Sequence, residues 1–448
     1  MPPRRWNRRR IAVSLPSLFL CACAARAVPN ATAPPVVAES PSPTTAATTR
    51  TVTAVATLAS VPSPTLPTPS PRAVVVSPTP DPSPPINATA RADATVIPTA
   101  SRPIVTPATP TTEPGTTQVV KHGVPELASA SLAGVRLVGG TLTLDQNTGG
   151  YPQSGTITSG EIATPFAFDT LVPSWNATAP TGTSLRCEIR VRANGTRSGW
   201  YVLGNWSASQ RGSVSNQRDS IGSVDVDTLK LNLPAQAFQY RFTLISADPK
   251  QTPSLRLVAV NYASLRDGLR GPAVSPAPGW FRDLPVPVQS QLLQTANLAW
   301  DVCSPTSLAM VLQYWKIPAS VPEVISGVRD QTNGIYGNWP FNTAFAGRQG
   351  LEAYVNRFTS MVELQNEIAA SRPVVTSIRF AAGELANAPI TSTSGHLLVV
   401  RGFTANGDVI VNDPVAPNLA EVRRVYQRAQ FANVWLRHGG VAYQIRQA

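Results

Sequence analysis

Cysteine is scarce in this chain: four in 448 residues, two of them, Cys21 and Cys23, close to the N-terminus. A small secreted scaffold stapled by disulfides needs several pairs, so the remaining Cys187 and Cys303 exclude that class. Histidine is scarcer, with His122, His396 and His438 the whole supply. Three histidines so widely spaced, with one cysteine in each half, make none of the ligand patterns that bind zinc, and no metal is expected. Neither a G-x-x-x-x-G-K-[ST] loop nor a dinucleotide fingerprint is present, so no cofactor is expected. Acids are also few, leaving a net charge of +12. That excess is uneven, because six arginines fall in the first 26 residues with no acid among them. No Lys/Arg cluster interleaved with aromatics follows, which argues against a nucleic-acid partner.

What is abundant is proline, about twenty of the 44 lying between Val28 and Val120. That stretch, residues 28–120, reads as Pro, Ser, Thr, Ala and Val without aromatics or periodicity. It cannot bury enough apolar surface to offset the entropy of ordering, and is expected to be a disordered, partly polyproline spacer. Before it, MPPRRWNRRR and IAVSLPSLFLCACAARA supply a basic n-region, an apolar h-region and small residues. Residues 1–27 are therefore expected to be a secretory signal, too short to span a membrane. Ala25-Arg26-Ala27 offers a cleavage site. Leu20-Cys21-Ala22-Cys23 resembles a lipobox that would make Cys23 a lipid anchor, the only membrane attachment expected. The location expected is extracellular or on the cell surface.

Residues 121–270 change texture. LRCEIRVRA alternates apolar and polar positions and ends at Asn194-Gly195, a hairpin signature. AFQYRFTLIS and SLRLVAVNYA repeat the strand pattern, with no long helical pattern between, so an all-β sandwich is expected. Cys187 shares a strand face with Ile189 and Val191 and reads as a buried small side chain. Trp175, Trp200 and Trp206 read as core or rim tryptophans of a sandwich, with stacking on cell-surface glycan as the alternative. After a Gly/Pro linker, residues 280–448 mix helical and strand patterns, an α+β domain large enough for its own core.

Chemistry concentrates in WDVCSPTSLAMVLQYWK, Trp300 to Lys316. Pro305 suits a first helical turn, which puts Cys303 at a helix N-terminus, where the dipole and free N–H groups favour thiolate. A nucleophilic cysteine also needs a base. His396, in SGHLLVVRGF, opens a strand that turns at Asn406-Gly407 and returns as DVIVNDP. That hairpin brings Asp413 back to the end where His396 sits, in the place of a carboxylate that orients an imidazole.

With PVPVQSQ upstream, these segments resemble the papain-like cysteine peptidases of the C39 family, in their secreted, stand-alone C39-like branch. The resemblance covers about Leu284 to the C-terminus. It implies a papain-like α+β fold, with Cys303 as nucleophile, His396 as base, Asp413 as orienting acid and Gln291 as the oxyanion-hole glutamine. Gln289 and Gln294 stand close to Gln291. Relatives often carry glycine after the nucleophile, where this chain has Ser304, whose Cβ bears on how substrate approaches. The resemblance implies a peptidase acting on an extracellular peptide or protein. An amidase or acyl transferase using the same triad is the first alternative, and a non-catalytic surface binding module the second. TSTS, Thr391 to Ser394, has the composition of a loop over the site.

Overall fold

The computed structural model describes residues 115–214 and 216–448. The signal, Cys23 and most of the proline-rich stretch lie outside the described residues.

Residues 117–263 are all-β apart from one short helix, Val124–Ala128. Four long strands carry the network: β1 (Ile162–Thr178), β2 (Thr183–Ala193), β3 (Thr228–Ser246) and β4 (Ser254–Ala263). They run antiparallel in the order β2-β3-β1-β4, with Phe242 opposite Cys187 and Val258 opposite Trp175. The Asn194-Gly195 turn has positive φ at both residues, as a tight two-residue hairpin demands. Val226, also at positive φ, turns the chain from Gly222–Asp225 into β3. Thr117–His122 is a strand paired with β4, so order begins inside the stretch expected to be spacer. Its alternating Val119/Lys121 and Val120/His122 find a ready edge there, and that pairing supplies its backbone bonds.

Residues 303–446 combine helices with a six-stranded antiparallel sheet. In chain order they are α1 (Cys303–Tyr314), α2 (Val321–Val328), α3 (Trp339–Arg348), β5 (Glu352–Arg357), α4 (Met361–Ala369), β6 (Val374–Phe380), β7 (Thr393–Phe403), β8 (Val409–Asn412), β9 (Arg423–Tyr426), α5 (Arg428–Leu436) and β10 (Val441–Arg446). The sheet order is β5-β10-β6-β7-β8-β9. Helix α2 starts from a capping box, Ser320 with Glu323, and α3 and α4 start from Asn338 and Ser360 caps. Helix α1 is buried along nearly its whole length, and Ser307 Oγ donates to the Leu397 carbonyl at 3.0 Å, fixing it on β7.

The two halves share one apolar core. Phe341 of α3 packs edge-on against Trp175 and tilted against Trp206, at ring separations of 6.1 and 5.6 Å. Trp175 and Trp206 are fully buried there, so neither is a sugar platform. The Trp200 ring lies against the guanidiniums of Arg190 and Arg241, at 4.5 and 4.4 Å. Strand β5 is an edge of its sheet, and β1 closes that edge with side chains. Asn176 donates from Nδ2 to the Ala353 carbonyl (2.6 Å) and accepts from the Ala353 N–H (3.1 Å), while Ser174 Oγ accepts from the Val355 N–H (3.2 Å). An unpaired strand edge is thus satisfied without another strand. Buried Asp330 makes a similar seam, accepting from Ser213, Asn333 and Asn338.

Asp227 accepts from the Trp339 N–H at the start of α3 (2.8 Å) and from Thr228 Oγ1 (2.9 Å). Burial outweighs those bonds and pushes its carboxyl up to about 6. A raised acid binds its proton more tightly in the folded state, so its ionisation costs stability as pH climbs from about 4 to 6. Relative to Asp227→Asn, the wild type is expected to lose about 1–3 kcal/mol between pH 4 and 6.5, seen by urea unfolding at both values. A pH-independent difference would refute this.

Candidate active site

Cys303 is the first residue of α1, after Val302 as N-cap. No side chain caps this helix start. The first N–H groups therefore have no intrahelical acceptor, and the dipole's positive end stands at the thiol. The expected helix start is observed, and Pro305 occupies its first turn.

His396 is the fourth residue of β7 rather than its first, because the strand begins at Thr393. Thr393 and Ser394 are accordingly strand residues and not loop: Thr393 pairs with Phe380 on β6. Asp413 follows the last residue of β8, and the β7–β8 hairpin sets Val399 opposite Asn412. His396 Nε2 meets Asp413 Oδ1 at 2.8 Å, with both residues buried. The remaining carboxylate capacity is filled by two donors: Tyr426 Oη to Oδ2 at 2.7 Å, and the Val415 N–H to Oδ1 at 3.1 Å.

Electrostatics follow from that arrangement. Burial by itself lowers the His396 pKa, but the Asp413 carboxylate and a hydrogen bond and charge from Cys303 outweigh it and hold it up at about 10. Burial by itself raises Asp413, yet His396, Tyr426 and the Val415 N–H bring it below its ordinary value. Since Nε2 is taken by Asp413, it is Nδ1 that remains for the thiol, and Nδ1 has no nitrogen or oxygen partner. Cys303 and His396 are nearly inaccessible, at 3% and 0% exposure, so small reagents will reach the sulfur before bulky ones.

The three glutamines of the upstream segment separate clearly. Gln289 bonds Gln313, and Gln294 bonds the Ser290 carbonyl. Gln291 is fully buried, and its N–H bonds the carbonyl of Pro414, the residue after Asp413. Its Nε2 donates one hydrogen to the Ala299 carbonyl at 2.7 Å, which leaves the second. Ser304, the departure from glycine, turns away into the core: its Oγ lies 2.9 Å from Tyr443 Oη on β10. Cys187 is buried, unbridged and raised by burial, as its strand face implies.

Two supports were not read from the sequence. Tyr426 holds Asp413 from β9, a strand with no marked pattern, and only the β8–β9 register (Val409 opposite Tyr426) brings it near. Arg401 binds Asp283 through Nε and Asn412 through Nη1, tying the residue before Asp413 to the entry of the domain. A carboxylate 118 positions away gives no local signal. Among the described residues no cluster of three potential ligands could hold a metal ion.

Residues 283–443 match the family model described as the peptidase C39-like family, and residues 113–263 match that of the peptidase C39 N-terminal domain. The chain belongs to the C39-like peptidase family. A crystal structure described as that of a C39-like peptidase from Bacillus anthracis is similar at 20% identity and TM-score 0.30, over 37% of this chain and 98% of that one. A double-glycine motif protease of an AMS/PCAT transporter, bound to its leader peptide, is similar at 19% identity and TM-score 0.27, over 39% and 100%. The C-terminal CBM6 of LamC from Zobellia galactanivorans is similar at 13% identity and TM-score 0.19, over 32% and 98%. No curated protein matches. Membership of the C39-like family carries a peptidase-type function.

Proposed function

We propose that this C39-like protein is a papain-like cysteine peptidase that hydrolyses extracellular peptides, secreted or tethered to the cell surface. The observation that carries the reading is the buried His396–Asp413 pair with Nδ1 left for a thiol at the start of α1. In the reaction, the Cys303 sulfur attacks the scissile carbonyl carbon. The second Nε2–H of Gln291 and the Cys303 N–H hold the resulting oxyanion. The His396 imidazolium gives its Nδ1 proton to the leaving amine, and the C–N bond breaks to leave a thioester. Water then attacks that thioester, His396 takes its proton, and the acid departs as the thiolate is restored. Asp413 stabilises the imidazolium throughout and stays ionised. A signal at residues 1–27, with Cys23 as the alternative anchor, would put this chemistry outside the cell.

The test is alkylation of Cys303 by iodoacetamide across pH. An apparent pKa well below the free-thiol value of about 8.5, rising in His396→Ala, is expected. A thiol indifferent to His396 would move the reading to a non-catalytic binding module, and an added amine captured in the product would move it to a transferase.

Tyr426→Phe gives a finer check. Its hydroxyl lowers the Asp413 pKa, so losing it raises that pKa and moves the acid limb of kcat/KM to higher pH, while the limb at alkaline pH moves less. An acid limb that stays in place would count against the role of Asp413.

A further inference from the structure

A cleft of about 400 Å³ opens where the two halves meet. Three stretches form its walls: Ser209 and Arg211 of the β half, then Arg329 and Tyr336, and third Thr295 and Leu298. The third wall belongs to the segment that joins Gln291 to Cys303. Leu298 precedes Ala299, whose carbonyl holds the Gln291 amide, and the Leu298 carbonyl accepts from the Asp301 N–H at 2.9 Å. An occupant of the cleft would therefore press on the backbone that places both the nucleophile and the oxyanion donor.

The lining is positive. Arg211 is 5% exposed, and its guanidinium donates to the carbonyls of Ser207, Ala208 and Ser326, all neutral, while Nε has no acceptor. Buried charges are normally paired, because leaving a cation without an anion in low dielectric is costly. Arg329 also lines the cleft and is exposed, its guanidinium 6.0 Å from the Tyr336 ring. Among the described residues, no acidic side chain lines the cleft. Tyr336, Leu298 and the partly buried helix α2 add apolar surface, and the volume suits a peptide segment better than a lone ion.

We propose that this cleft is a substrate-recognition subsite that takes a carboxylate-bearing, otherwise apolar stretch of the peptide. It rests on the peptidase reading only in calling the peptide a substrate. The β half then has a direct part in selectivity, since Ser209 and Arg211 form one of its walls.

The experiment separates binding from turnover. Cys303→Ala in the full chain is probed with decapeptides in matched pairs, Asp or Glu at one position against Asn or Gln. Acidic members are expected to bind about tenfold tighter, which corresponds to one charge-assisted contact. Arg329→Glu, a surface change that should leave the melting temperature unaltered, is expected to abolish or invert the preference. Equal binding of acidic and amide peptides, or a preference that survives in Arg329→Glu, would overturn the proposal. Acid-selective binding that depends on Arg329, alongside a wild type that cleaves none of the bound peptides, would uphold the subsite and overturn the peptidase reading. Arg211→Gln serves as the second variant: if it stays folded, its loss of preference must parallel that of Arg329→Glu.

Discussion

Cys303→Ala is expected to abolish peptide hydrolysis, with kcat falling about 10⁴-fold or more, while the melting temperature changes little. Every covalent step passes through that sulfur, and alanine removes the nucleophile while Leu308, Val311 and Leu312 keep α1 packed in the core. His396→Ala should cost nearly as much, for a different reason. The sulfur survives, but the imidazolium that stabilises the thiolate and protonates the leaving amine is gone. Alkylation and hydrolysis then diverge: His396→Ala still reacts with iodoacetamide at high pH, and Cys303→Ala does not. Combining the two substitutions should add little to either alone, because they act as one unit. Single-turnover assays on a pooled peptide library, read by mass spectrometry, would measure this. Retained hydrolysis in Cys303→Ala would dispose of the assignment.

Phe341→Ala is expected to have the largest effect on stability, about 3–5 kcal/mol for a buried aromatic removed from a packed core. Its consequence is not confined to α3. The ring sits among Trp175 and Trp206, so its loss opens a void inside the β half from a residue in the C-terminal half. Both should melt together and earlier, followed by tryptophan fluorescence and far-UV signal in one transition. Gly347→Ala tests the same seam from a second position on α3. A Cβ there would fall 2.5 Å from Asn176 Nδ2, displacing the amide that serves both the N–H and the C=O of Ala353. Two separated transitions in either variant would show that the halves stand independently.

The strands and the site were legible to different degrees. β2, with its turn at Asn194-Gly195, is legible because period-2 alternation and a positive-φ turn are local properties. The α1 start and the meeting of His396 with Asp413 were likewise legible, since Pro305 and the Asn406-Gly407 hairpin are local devices. The seam was not. Trp175, Trp206, Phe341 and Asn176 join positions 135 to 177 residues apart in sequence, and a buried tryptophan in a strand looks the same whether it faces its own module or a neighbour. Strands β5 and β10, the short helix α2 and the end strand β9 were also missed: each carries its apolar residues in runs too brief for a period to show. The strand at Thr117–His122 followed proline-rich residues and was absorbed into them.

The cover that Ser174 and Asn176 of β1 place on β5 has a consequence beyond folding. They occupy hydrogen-bonding groups that would otherwise recruit a strand from elsewhere. A C-terminal half released by proteolysis, or transplanted behind a foreign module, would carry β5 bare along one side of its sheet. Two such fragments could then pair edge to edge and keep adding copies, so liberation of the C-terminal half from its N-terminal half would lead to self-association.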